Sequence, residues 1–282
     1  MDKIPLSPVK KVQKLFLPGL MARITALLLL VFFTAFSSFE GLVLKRVILS
    51  TNNNPMYIQF WPVVAPLWEA LGLRPTLALI ADEDCPIDTT IGDVYRFTPL
   101  PGISEALQAQ CIRLMLPALF PDEACLISDI DMLPISRSYF FSGASRCPNN
   151  AFLVYRDKAY GKSAQRYPMC YLAAKGSVFS DVFGVYSSDQ FAALIGAWSS
   201  LGHGWNTDEF MVFQYLIKWE RQGGSVIRLQ QPVVRRLDRV SWHLKFDPSH
   251  IGGYIDCHCP RPYFEYKDSI DEVVKAIYSQ WR

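Results

Sequence analysis

The chain has 282 residues, of which 50% are hydrophobic and 19% charged, with a formal net charge of +2. That is ample for a sizeable core, as one large domain or two small ones. The near-neutral balance excludes the strong electrostatic footprint expected of a nucleic-acid-binding protein.

The first landmark along the chain is a charge-free run over residues 24–39, preceded by Lys3, Lys10, Lys11, Lys14 and Arg23. The run falls slightly short of the ~20 residues that span a bilayer, and extending it past Glu40 to Leu44 closes the gap. Residues 1–23 therefore read as a basic cytosolic leader and 24–44 as a signal-anchor helix, with the membrane as a partner. The rest of the chain, 45–282, would form the catalytic domain of a single-pass type II protein, facing a Golgi-type lumen in a eukaryotic cell. A signal peptide cleaved near Ala35-Phe36-Ser37 is one alternative, and a buried or surface-lying helix is another.

Beyond that segment, strand and helix patterns alternate. Residues 46–51 read as a buried strand that ends in the polar loop Asn52-Asn53-Asn54-Pro55. Tyr57, Phe60, Trp61, Val64, Leu67, Trp68 and Leu71 repeat with helical period, and Gly72 stops them. Strands are predicted over 76–81 and 94–98, a helix over 104–119 with Glu105 in its first turn, and a strand over 124–128. The second half is less regular, with strands at 151–155, 169–173 and 226–229, helices at 188–200 and 207–221, and a final amphipathic helix from Asp268 to Trp281. This alternation predicts an α/β layer with a mostly parallel central sheet. Ligands of such sheets bind beyond the carboxyl ends of the strands, so Asn52, Asn53 and Asp129 could share one crevice, with Thr51 and Asn53 as candidates for binding the ligand.

Seven cysteines are scattered through the chain. Cys111, Cys125 and Cys170 lie in apolar runs and read as small hydrophobes. Cys257-His258-Cys259 lacks the second cysteine pair that a structural zinc site would need.

Asp129-Ile130-Asp131 follows the apolar run 124–128. Two carboxylates at the mouth of a buried strand suit a hard divalent cation held beside a phosphorylated ligand. A second pair, Asp82 and Asp84, also follows a strand, but it leads into Cys85-Pro86 and reads as a solvated turn.

Taken with the residues before it, Gln110 through Pro117 including Arg113, the Ser128-Asp129-Ile130-Asp131 segment resembles the sugar-nucleotide region of GT-A-fold glycosyltransferases, in particular the glycogenin-like family 8. The resemblance implies a GT-A-like fold, a nucleotide-sugar donor, Mn²⁺ (or Mg²⁺) as cofactor, and a glycan, glycoprotein or glycolipid acceptor. Carried over, Asp129 would touch metal and ribose, Asp131 would bind metal, and Arg113 would orient the carboxylates or the sugar. His258-Cys259-Pro260-Arg261-Pro262-Tyr263 resembles the family segment that supplies a third metal ligand and a phosphate contact, which assigns those roles to His258 and Arg261. Trp205-Asn206-Thr207-Asp208-Glu209 resembles the aromatic and acidic start of an acceptor-lining helix, making Asp208 and Glu209 the catalytic or acceptor-binding carboxylates. The stretch 171–176, with Lys175, resembles the strand that presents sugar-contacting groups. A metal-dependent glycosyltransferase is therefore expected. The competing readings are a sugar nucleotidyltransferase, disfavoured by a first-strand loop without glycine, and a non-catalytic, membrane-tethered sugar-nucleotide-binding module.

Overall fold

The structure, a computed structural model, describes residues 41–230, 235–240, 242 and 246–282. The leader and nearly all of the expected anchor helix lie outside the described residues, among which no helix is long and apolar enough to cross a membrane. Gly41 to Leu44, given to that helix from sequence, are extended chain instead. Gly41 bridges Pro148, the Leu42 N–H donates to the Cys147 carbonyl at 2.7 Å, and Leu44 opens the first strand.

The first half is built from β1 (Leu44–Asn52), α1 (Pro55–Ile58), α2 (Trp61–Ala70), β2 (Arg74–Ile80), β3 (Asp93–Phe97), α3 (Glu105–Ile112), β4 (Ala124–Ile127), β5 (Met132–Pro134) and α4 (Arg137–Ala144). The second half adds β6 (Ala151–Val154), β7 (Leu172–Lys175), α5 (Gly176–Phe183), α6 (Phe191–Ser199), α7 (Thr207–Arg221), β8 (Ser225–Arg228), β9 (Arg236–Asp238), β10 (Asp256–His258) and α8 (Lys267–Trp281). Seven strands form one sheet in the order β3-β2-β1-β4-β7-β6-β8, and β7 alone runs antiparallel to its neighbours. The expected mostly parallel α/β sheet is thus what the chain forms.

The central strand explains why. Val47, Ile48 and Leu49 of β1 are all fully buried, so the strand is covered on both faces and reads as a continuous apolar run. Successive side chains point to opposite faces. Val47 and Leu49 join a core with Trp61, Trp68 and Phe140, while Ile48 joins a second core with Leu114, Phe179 and Trp198. Two helical predictions need correcting. The helix expected over 104–119 stops at Ile112, and Leu116–Leu119 is a 3₁₀ turn with Pro117 in its first positions, where the ring cannot donate a backbone bond. The helix expected from Tyr57 divides into α1 and α2, and the Asn54 side chain caps α1 by accepting the Met56 N–H at 2.9 Å.

At the end of the sheet away from the aspartate pair, Arg46 is 6% exposed and fully paired. Its guanidinium donates to both Glu123 carboxylate oxygens at 2.9 and 3.1 Å, to Thr76 Oγ1 at 2.7 Å and to Asp93 Oδ2 at 2.5 Å. Arg74 adds a fork to Asp93 at 2.6 and 2.5 Å. Hydrogen bonds from Arg74, then from Arg46, hold the Asp93 carboxyl below its ordinary range against partial burial. A depressed folded pKa contributes stability above the unfolded value of ~3.9, lost as pH falls through the folded value. Asp93→Asn should therefore lower Tm at neutral pH, and the gap to wild type should narrow below about pH 4. An equal gap at about pH 2.5 and pH 7 in thermal melts would refute the assignment.

Candidate functional site

A cavity of about 470 Å³ opens at the carboxyl ends of β1 and β4. Thr51 and Asn52 enter it from β1, and Asp129 and Asp131 from the turn after β4. Arg113 enters from the end of α3, Asp208 and Glu209 from the first turn of α7, and His258 and Arg261 from the end of β10 and the loop beyond. Parallel strands deliver their carboxyl ends to one edge, so residues far apart in sequence meet there.

Arg113 is the hub of one side. Its Nη1 donates to Asp129 Oδ1, and its Nη2 donates to Asp208 Oδ2 at 2.7 Å. Burial opposes the charge on Arg113, but Asp129 and Asp208 outweigh it and raise the guanidinium's pKa. The two carboxylates differ. Burial also opposes the charge on Asp129, yet Arg113 prevails and lowers its pKa. Asp208, with a side chain 2% exposed, has its pKa raised, because burial outweighs Arg113. Asp208 Oδ1 also accepts the Glu209 N–H at 2.9 Å, one of the orphan donors of the first turn of α7. Glu209 accepts from Tyr160 Oη at 2.5 Å and from Arg166 at 3.3 Å, and burial raises its pKa.

The other side is assembled by a second sheet, in the order β5-β10-β9. β5 begins directly after Asp131, His258 lies opposite Met132, and the Cys259 N–H donates to the Asp131 carbonyl at 2.9 Å. This antiparallel pairing sets the His258 ring beside the Asp131 side chain, with Nε2 3.5 Å from Oδ2. Arg239 Nη1 at 3.3 Å and Arg261 Nε at 3.4 Å approach the same oxygen. His258 Nδ1 faces Asp238 Oδ2 at 3.4 Å, its neighbour across the parallel β10–β9 pair. Arg261 also donates to the Tyr57 hydroxyl and lies 4.6 Å over that ring.

The structure thus gathers Thr51, Arg113, Asp129, Asp131, Asp208, Glu209, His258 and Arg261 into one crevice. Two expected residues are not part of it. Asn53 is exposed and does not line the crevice, whereas Asn52, expected there with it, does. Lys175 pairs with Ala124 at the start of β4, at the opposite end of that strand from Asp129. The expected metal trio is also incomplete. Asp131 and His258 adjoin, whereas Asp129 is engaged by Arg113, and no group of three metal-ligating side chains is assembled among the described residues. Asp82 and Asp84 lie in an exposed turn, as expected. All seven cysteines are buried thiols. Tyr57, Arg156, Tyr160 and Cys170 also line the crevice, and their only trace in the sequence was residue type. Arg236 and Arg239 had a slightly better signal, a local cluster of arginines at 235–239.

No family model matches the chain, and no curated protein matches it. Among solved structures it is similar to the galactosyltransferase LgtC in complex with donor and acceptor sugar analogues, at 11% identity over 83% of this chain and 95% of that one, with a TM-score of 0.47. It is also similar to the apo form of the bifunctional glycosyltransferase WbbM, at 9% identity over 85% of this chain and 50% of that one, TM-score 0.47. A third similar structure is the apo glycosyltransferase GlyE of Streptococcus pneumoniae, at 9% identity over 84% of this chain and 64% of that one, TM-score 0.42.

Proposed function

We propose that the protein is a glycosyltransferase that moves a sugar from a nucleotide-sugar donor to an acceptor hydroxyl. The observation that carries this reading is the meeting, in one crevice, of the Asp131, His258, Arg239 and Arg261 group with the two carboxylates clamped by Arg113. The first group suits a diphosphate, since guanidinium forks match phosphate oxygens. Asp131 and His258 would hold a divalent cation there. A carboxylate, an imidazole and phosphate oxygens form a donor set that favours Mn²⁺ over Mg²⁺. Such a cation, when bound, neutralises the departing nucleoside diphosphate.

The chain's own residues then position and deprotonate. Arg113 fixes Asp129 and Asp208, so both present set oxygens to the donor. Glu209, whose burial strengthens its hold on a proton, takes the hydrogen of the acceptor hydroxyl. Trp205, 59% exposed in the crevice lining and preceded by Gly202 and Gly204 at φ +73° and +60°, offers an aromatic face to a sugar ring. Tethering to a membrane through the apolar run at 24–39 belongs to the same reading.

The test is release of free nucleoside diphosphate when the full chain, with Mn²⁺, meets a panel of UDP-, GDP- and CMP-sugars, where CMP-sugars release CMP. At least one donor should turn over, and turnover of none would sink the reading. With that donor, Glu209→Gln should lower kcat by about a hundredfold and leave the donor KM nearly unchanged. An unaltered kcat removes Glu209 from the chemistry.

A further inference from the structure

Arg156 lies two residues beyond the end of β6 and lines the crevice, half-buried. The only hydrogen-bond partner of its side chain among the described residues is the Cys170 thiol, at 3.5 Å from Nη1 to Sγ. Arg236 Nη2 approaches the same sulfur at 3.4 Å. Two guanidinium groups therefore converge on an uncharged atom, because burial outweighs both arginines and keeps Cys170 a thiol.

The two cations are not equivalent. Arg236 is already balanced by a fork to Asp256, at 2.6 and 2.7 Å. The other crevice arginines also have carboxylates, Arg113 in Asp129 and Asp208, and Arg239 and Arg261 in Asp131. No carboxylate pairs with Arg156 among the described residues. A half-buried cation on a cavity wall loses hydration without compensation unless a ligand supplies the missing charge. The diphosphate is not that ligand in this reading, because its arginines, Arg239 and Arg261, converge on Asp131, which does not pair with Arg156. Arg156 belongs to the wall with Tyr160, four residues on, whose hydroxyl donates to Glu209. With Glu209 as the base for the acceptor, that is the sugar end of the crevice in this reading.

We propose that the crevice takes a sugar bearing an anionic substituent, a carboxylate or a phosphate ester, and that Arg156 selects it. The inference rests on the glycosyltransferase reading. It adds a class of substrate, and its specificity residue lies outside the diphosphate group and the Arg113 clamp.

Matched pairs that differ only in the charged group test it on the full chain. In the donor arm, calorimetry compares UDP-glucuronate with UDP-glucose and GDP-mannuronate with GDP-mannose, with UDP and GDP as references. In the acceptor arm, nucleoside diphosphate release from the turned-over donor is compared with glucuronate or glucose 6-phosphate against glucose. One arm should favour the anionic member by about tenfold or more. The donor arm identifies a charged donor sugar, and the acceptor arm a charged acceptor, with glucuronate and glucose 6-phosphate separating carboxylate from phosphate. The preference should vanish in Arg156→Gln and return in part in Arg156→Lys, while the affinity for UDP or GDP alone stays the same. Absence of the preference from both arms, or its survival in Arg156→Gln, overturns the proposal. If UDP or GDP binds without an anionic preference, this inference alone falls. If neither nucleotide binds and no UDP-, GDP- or CMP-sugar turns over, the glycosyltransferase reading falls and takes this one with it.

Discussion

Arg113→Met is expected to abolish transfer and to cost the fold about 3 kcal/mol or more, the scale for breaking a buried ion pair by removing one partner. The cost arises chiefly at Asp208, whose side chain is 2% exposed and whose Oδ2 would lose its cationic donor. Asp129 contributes less, because its side chain is 30% exposed and water can take over from the guanidinium. The two effects separate in the double variant Arg113→Met/Asp208→Asn. An amide at 208 still accepts the Glu209 N–H but carries no buried charge, so most of the stability should return. Activity should not return, since Asp129 remains without the group that orients it. Urea midpoints and nucleoside diphosphate release on the two variants decide the matter. A double variant as unstable as the single one would show that the buried charge is not the cause. Wild-type turnover in either would show that the clamp does not serve catalysis.

The parts of the molecule that were legible in its sequence share a physical property. Buried parallel strands are uninterrupted apolar runs, so β1, β2 and β4 stand out, and their carboxyl ends place Thr51 and Asp129 at one edge. Strand direction carries no such mark. The stretch 171–176 with Lys175 resembles a strand that presents sugar-contacting groups, but β7 runs antiparallel, so its carboxyl end lies at the far edge of the sheet. Asn53 failed for a smaller reason: β1 ends at Asn52, which lines the crevice, and the chain bends at Asn53, leaving it exposed. The three-residue strands β5, β9 and β10 are too short to show any period, yet their pairing is what brings His258 to Asp131. The motif residues were therefore readable while the device that assembles them was not. Arg156 and Arg239 show the same limit, since whether an arginine is paired depends on partners far away in sequence.

Asp131→Ala is expected to cut kcat by at least about a hundredfold while the protein stays folded. Its side chain is only 6% exposed, which by itself would suggest a structural role. Its neighbours argue otherwise. The cationic and imidazole side chains around Oδ2 are Arg239, Arg261 and His258, and these are 32%, 22% and 18% exposed. When the carboxylate is removed they can recover water, so the stability loss should stay near the ~1 kcal/mol of a screened pair. The backbone link is also spared, because the Cys259 N–H bonds the Asp131 carbonyl and not its side chain. Catalysis has no such substitute. Asp131 lies within 3.5 Å of both His258 and the two arginines assigned to the diphosphate, so its loss removes the cation's anchor and leaves these three charged or chargeable groups facing the donor without it. Mn²⁺ binding followed by electron paramagnetic resonance gives a readout independent of turnover. Wild type should bind the ion in the presence of UDP, Asp131→Ala should not, and His258→Ala should bind it more weakly. A chelator should silence wild-type turnover and excess Mn²⁺ restore it. If Asp131→Ala keeps its activity and the chelator changes nothing, the cation has no part in the reaction, and Arg239 and Arg261 alone must carry the charge of the leaving diphosphate.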